Sequence, residues 1–496
     1  MQVQPAAASQ TAAGTAGALC NILGGHMTKP FAFKLREIAL AAACAVGAQQ
    51  AVAAPQTPIE HLIVVVGENH TFDNIFATYR PSRGQTVLNL LSQGIVDSKG
   101  RPGPRFERAA QQLAYQNGRY SINPLRYGAY PSLAQPNATY ATAQPLGQPD
   151  PRFPETLRNG PFQITDFVPY DAFVGDPVHR FFQMWQQINE GRNDLFVWVA
   201  ETAGTGNHTA GNSPDDTHQG AVAMGFYNMA TGDAPFFQEM ARQYAIGDNY
   251  HQAIMGGTGA NFMALATGDA AFYNAGGHPA VPPTSVNNGT DTVSEIENPD
   301  PQPAGMNTNW YTEDGYSGGS YVECADAQQP GVAVIRQYLA TLHVNPNCQP
   351  GNFYLVNNYG LGYKADGTPV DLSAHPFTLP PLPATLPNIA DALSAHGVTW
   401  KWYSGGRGDG TSPSNEYCGI CDPLTAFTSV MTDPNKRANL QDEQALFKDI
   451  AGGTLPSVAF VRPPESMAGH PANSNVAAYE NFVTDLVNLV HRQPEL

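Results

Sequence analysis

Residues 61–79, His61-Leu-Ile-Val-Val-Val-Gly-Glu68-Asn69-His-Thr71-Phe-Asp-Asn-Ile-Phe-Ala-Thr-Tyr79, decide how the chain is read. Leu62 to Val66 is an unbroken aliphatic run, the pattern of a strand buried on both faces of a parallel sheet. A carboxylate and an amide, Glu68 and Asn69, follow at once, where open α/β sheets carry their chemistry. Oxygen ligands on a rigid strand end can hold a hard divalent cation. The same residues also suit a polar loop in which Asn69 and Thr71 cap a short helix.

Further along, helical and extended patterns alternate. Leu386 to Asp391 opens a helix that Gly397 closes, and Val398 to Tyr403 and Ser457 to Val461 read as strands. From Asn475 to His491, Tyr479, Phe482, Val483, Leu486, Val487 and Val490 recur at helical spacing and mark one buried stripe. Pro177 to Asn189 and Pro235 to Tyr244 are helix-prone, whereas 80–170 and 271–330 are aperiodic and read as long loop insertions. With no flexible linker in view, residues 55–496 are expected to form one α/β domain, a doubly wound, mostly parallel sheet with helices on both faces.

The net charge of −17 with only 25 Lys plus Arg argues against nucleic acid, because binding a phosphate backbone needs a basic surface. It argues equally against docking on anionic membranes, and no transmembrane helix is visible. Small soluble phosphoesters and zwitterionic headgroups remain as partners. Residues 1–26 read as a disordered extension. Met27 then begins a secretory signal, with Lys29, Lys34 and Arg36 ahead of apolar Ile38 to Val46 and small residues Ala51 to Ala54 at the cleavage site. The rival reading of that stretch is a buried amphipathic helix. A cleaved signal places the protein in the periplasm or outside the cell. It also leaves Cys324, Cys348, Cys418 and Cys421, enough for two disulfides in an oxidising compartment. Of three possible pairings, the local one is simplest. Cys418-Gly-Ile-Cys421 also has redox or zinc spacing, but without a second such pair a structural clip is preferred.

Met255-Gly256-Gly257-Thr258-Gly259-Ala260-Asn261 is the second informative stretch. Paired glycines let the backbone turn tightly and approach a ligand, and the helix that follows exposes amides suited to a phosphoryl group. A hydroxyl there can attack phosphorus if a metal lowers its pKa. The plain alternative is a threonine N-cap after a glycine turn. His179, in an aromatic block, and His470, between Gly469 and Pro471, could serve a leaving group or simply be packed or exposed. His218, after two aspartates, reads equally as an acidic turn.

Glu68-Asn69-His-Thr-Phe72-Asp73-Asn-Ile-Phe76, Asp176-Pro-Val-His179 with Gly191-Arg-Asn-Asp194-Leu-Phe196, Gly256-Gly257-Thr258 with Asn261, and Gly469-His470-Pro471 together resemble the bacterial phosphoesterase family. That family contains secreted acid phosphatases and phosphatidylcholine-type phospholipases C and belongs to the alkaline phosphatase-like superfamily. The resemblance implies an alkaline phosphatase-like fold. It makes Thr258 the nucleophile, has Glu68, Asn69 and Thr258 hold a divalent metal ion of unknown identity, and sets Gly257, Gly259 and Asn261 against phosphate. His179 and His470 would face the reacting group. Trp400-Lys-Trp402-Tyr403 and Val461-Arg462-Pro463-Pro464 match too, but read as sheet and loop without chemistry. In the family an Asp-Glu strand follows the last helix and completes the metal site, so the chain resembles a C-terminally truncated member. The expected function is a metal-dependent phosphoric ester hydrolase of acid phosphatase type, working through a phosphothreonine. The alternatives are a phospholipase C acting on phosphocholine diesters, an inactive remnant that binds phosphate-like anions, and a loop-rich secreted binding protein.

Overall fold

The aliphatic run forms strand β1, Leu62–Val65. It pairs in parallel with β7, Val458–Arg462, which pairs with β5, Trp400–Ser404, and that in turn with β6, Leu440–Asp442. The result is a four-stranded parallel sheet in the order β1-β7-β5-β6. The computed structural model describes residues 58–493 except 116–118, 138–148, 204–219, 275–284, 288–290, 294–320 and 372–377. The expected leader, His218 and most of the 271–330 insertion fall outside the described residues.

Alternation along the strands explains why both faces are covered. Val64, Val66, Trp400, Trp402 and Phe460 point into one apolar cluster, roofed by α4 (Thr258–Thr267) and α5 (Ile389–Ala395). Ile63, Val65, Tyr403, Ala459 and Val461 point into the other, closed by α6 (Glu443–Ala451) and α7 (Val476–His491). Trp402 and Phe460, partners in register, stack with centroids 4.8 Å apart. The expected complete burial of β1 is corrected in one respect. Among the described residues β1 has only β7 beside it, so Leu62 stays 53% exposed. A second, antiparallel sheet joins β2 (Phe272–Asn274), β3 (Tyr321–Val322) and β4 (Asn352–Leu355) in the order β3-β4-β2.

Two helices start differently from the sequence expectation. Helix α2 covers Phe181–Ile188, so Pro177 to Arg180, His179 among them, lie ahead of the helix rather than on it. Helix α4 begins at Thr258 with Gly257 as its N-cap, so Thr258 is not the cap. The reading of Thr71 as a cap does hold, for its hydroxyl accepts from the Asn74 amide at the start of α1, Phe72–Phe76.

Helix α3, Pro235–Gln243, follows Ala234, which has no side chain that could cap it. Its open amides are met from a distance: Phe236 and Phe237 donate to Oε1 of buried Glu480 on α7 at 2.7 and 3.0 Å, and the Tyr170 hydroxyl donates to Oε2. Cys324 is bonded to Cys348 and Cys418 to Cys421, the local pairing. Among the described residues no helix is long and apolar enough to cross a membrane.

Candidate active site

The site lies at the carboxyl ends of β1 and β7, where the two chains leave the sheet together. The Val66 amide donates to Val461 O at 2.9 Å and the Glu68 amide to Ala468 O at 3.2 Å. Gly67 is needed between them for space. A Cβ there would stand 2.5 Å from a ring carbon of Tyr479, which packs in from α7. Asn69 then turns the chain with φ 64°, a left-handed conformation that asparagine tolerates better than most residues.

Thr258 arrives from the opposite layer. Because Gly257 is the N-cap, the Thr258 hydroxyl has no capping duty, and it donates to Glu68 Oε2 at 2.9 Å. The glycines before and after it are explained by packing. A Cβ on Gly256 would overlap the Val356 carbonyl oxygen, one on Gly257 would lie 2.6 Å from Asn358 Oδ1, and one on Gly259 would lie 2.8 Å from the Tyr359 ring. The residues after β4 therefore press directly on the start of α4. They also take up its amides. Gly257 donates to Val356 O, Gly259 to Asn358 Oδ1 and Ala260 to Asn357 O, leaving the Thr258 amide without a partner among the described residues. Asn261 turns its carboxamide to the same turn, bonding the Ile254 amide and the carbonyls of Ile254 and Gly257 at 3.0–3.1 Å.

Arg462, at the end of β7, completes one half of the site. Its Nη2 sits 2.5 Å from Glu68 Oε1 and 3.3 Å from Glu465 Oε2, and its side chain is 1% exposed. Burial alone would raise the Glu68 pKa. The charge of Arg462, then that of His470 and the Thr258 hydrogen bond, outweigh it and hold the carboxyl below its ordinary range. Glu68 is thus a charged acceptor. Cys421 Sγ lies 3.7 Å from Glu68 Oε1, so the Cys418–Cys421 disulfide walls the site.

The other half gathers around Asn69. Its Nδ2 lies 3.0 Å from Asp176 Oδ1, 2.9 Å from His470 Nε2 and 3.4 Å from His179 Nε2. Burial pushes the His179 pKa down, partly offset by Asp176. For His470 burial acts the same way, but the carboxylates of Asp176 and Glu68 prevail and raise it. His70 ties the two loops together, with Nδ1 at Asn74 Oδ1 and Nε2 at Gly469 O, both 2.6 Å away.

Glu68, Asn69, Thr258, His179 and His470 are thus brought to one place, whereas the Asn261 side chain and the Gly257 and Gly259 amides are engaged with the protein itself. Asp176, Arg462, Asn357 and Asn358 belong to the neighbourhood without having been assigned roles from sequence. An available signal was the position of Asn357-Asn358 just beyond strand β4. Glu68 Oε2 and Thr258 Oγ1, an anionic and a neutral oxygen 2.9 Å apart, are a donor set that fits a shared hard cation. The Asn69 carboxamide faces the histidines instead. Compared with known proteins, the chain matches the model of the phosphoesterase family over residues 59–496. No curated protein matches it.

Proposed function

The chain belongs to the phosphoesterase family, whose chemistry is the hydrolysis of phosphoric esters, and on that premise we propose that Thr258 is the nucleophile of a metal-dependent, acid phosphatase-like reaction. The observation that carries this is the hydrogen bond from Thr258 to Glu68, which joins the two motifs at one point.

In the first step Thr258 Oγ1 attacks phosphorus in line, the bond to the alcohol oxygen breaks, the phosphoryl group passes to the threonine, and the proton lost by the hydroxyl is made good on the departing alcohol oxygen. In the second, water attacks that phosphothreonine, releasing phosphate and restoring the hydroxyl. Glu68 accepts the hydroxyl hydrogen and so orients the oxygen's lone pairs. Held charged by Arg462, it is a weak base, and deprotonating Thr258 calls for additional positive charge. A divalent cation held by Glu68 and Thr258 would supply that charge. The Thr258 amide at the start of α4 offers a donor to a phosphoryl oxygen. Asn261 and the 356–359 segment keep that donor in place, and Asp176, His179 and His470 gather around Asn69, next to Glu68.

The Gly256-Gly257-Thr258-Gly259 wording supports a monoester substrate over a phosphocholine diester. Two disulfides support a periplasmic or secreted location. A second reading is anion binding without turnover. Arg462 favours it, because its guanidinium already neutralises the Glu68 carboxylate.

The test is turnover of a chromogenic phosphomonoester and of a phosphocholine diester, with and without chelator. Thr258→Ala is expected to lower turnover by about three orders of magnitude or more. Turnover that survives the substitution removes the nucleophile. Chelator-insensitive turnover removes the metal. Phosphate binding with no turnover at all supports the second reading.

A further inference from the structure

The cluster around Asn69 has one acceptor too many. His179 Nδ1 lies 2.7 Å from Pro177 O, and His470 Nδ1 lies 2.6 Å from Pro471 O. A carbonyl oxygen only accepts, so each Nδ1 carries a hydrogen, and in its neutral, ligand-competent form each ring turns an Nε2 lone pair inward. Both lone pairs and Asp176 Oδ1 converge on a single atom, Asn69 Nδ2. That nitrogen has two hydrogens for three acceptors. Ligand atoms of Asp176, His179 and His470 all lie within 4.8 Å of one another. The side chains of Asp176 and His179 are 24% and 16% exposed, so an ion from solvent can reach them.

We propose that Asp176, His179 and His470 form a binding site for a divalent transition metal of the zinc class, separate from the oxygen pair of Glu68 and Thr258. Two imidazoles and one carboxylate are the donor set such ions prefer, whereas magnesium and calcium favour all-oxygen sites. The backbone carbonyls behind both rings are the outer-shell partners that fix ligand histidines in the metal-binding tautomer. Turning the Asn69 carboxamide presents Oδ1 instead of Nδ2, which adds a fourth donor. With one carboxylate and two neutral rings, a bound divalent ion leaves the site with a net positive charge. The site binds its ion whether or not Thr258 is the nucleophile, so it goes beyond the proposed reaction.

The experiment is titration of the chelator-stripped full chain with Co2+, followed by visible absorption and by thermal unfolding, with Zn2+ as competitor. The wild-type protein is expected to develop a nitrogen-ligand band that Zn2+ abolishes, and to melt at higher temperature with the ion bound. His179→Gln and His470→Gln are expected to weaken Co2+ binding at least about tenfold and to lose the band. Glu68→Gln and Thr258→Ala are expected to retain it. Asp176→Asn, which preserves shape, serves if a histidine variant does not fold. No band in the wild type overturns the inference. So does a band unchanged in the histidine variants, or one lost only in Glu68→Gln. Turnover by Thr258→Ala is read separately and bears on the nucleophile alone.

Discussion

Thr258 donates its hydroxyl hydrogen to Glu68 Oε2 across 2.9 Å, between residues 190 positions apart in sequence. On the other oxygen of the same carboxylate sits Arg462, so the acceptor of the Thr258 bond is one end of a buried ion pair. Removing either partner of such a pair leaves a charge without compensation. Arg462→Met is expected to cost about 3–5 kcal/mol in urea unfolding. Glu68→Gln, which leaves Arg462 its contact with Glu465, is expected to cost less. The double variant should lose less than the sum of the two, and a double-mutant cycle measures the difference.

Gly67 is expected to accept no side chain. Its Cβ would lie 2.5 Å from the Tyr479 ring, and the residue it would displace is Glu68. Gly67→Ala should destabilise by about 1–3 kcal/mol and lower turnover together. Adding Tyr479→Leu should recover part of both, as read from unfolding curves and initial rates.

Asp73 sets a pH dependence. Burial pushes its pKa from 3.8 up to about 6, against one hydrogen bond from the Leu90 amide. The folded state therefore holds the proton more tightly than the unfolded chain. Stability from this group is full below its unfolded pKa and is lost as pH rises through the folded value. Asp73→Asn keeps the acceptor and removes the charge. Its stability advantage over wild type should open between about pH 4 and pH 6, and level off at roughly 1–3 kcal/mol. Thermal or urea unfolding across that range checks it.

Glu480 caps a helix that cannot cap itself. Glu480→Ala strips α3 of its acceptor for Phe236 and Phe237 and leaves the Tyr170 hydroxyl unpaired. The expected cost is about 2–4 kcal/mol, with Glu480→Gln recovering part of it, because its remaining carbonyl oxygen still accepts. Hydrogen exchange should quicken first at the amides of 236–237.

The framework of the fold was legible because it is written in local periodicity. The aliphatic run of β1, the Trp400–Tyr403 alternation and the stripe of α7 each announce themselves within a dozen residues. β6 was missed, since Leu440-Gln441-Asp442 is too short and polar to show a period. At the site, Glu68 and Thr258 could be named from their motifs, but the reasons for their surroundings lie far away in sequence. The glycines around Thr258 look like a turn made for a ligand. They are in fact the space that Val356 to Tyr359 require, a contact no local pattern encodes. Arg462 reads as the last residue of a strand, and only the parallel register of β7 with β1 sets it on Glu68. Asp176 is visible in sequence as the start of the Asp-x-x-His block, but its place beside Asn69 shows only in the fold.

The most direct test is to quench the enzyme in acid during turnover of a phosphomonoester and locate the phosphoryl group by mass spectrometry. The phosphoryl group is expected on the peptide containing Thr258, and neither label nor turnover is expected in Thr258→Ala. Phosphate found on His179 or His470, or undiminished turnover in that variant, would contradict Thr258 as the nucleophile.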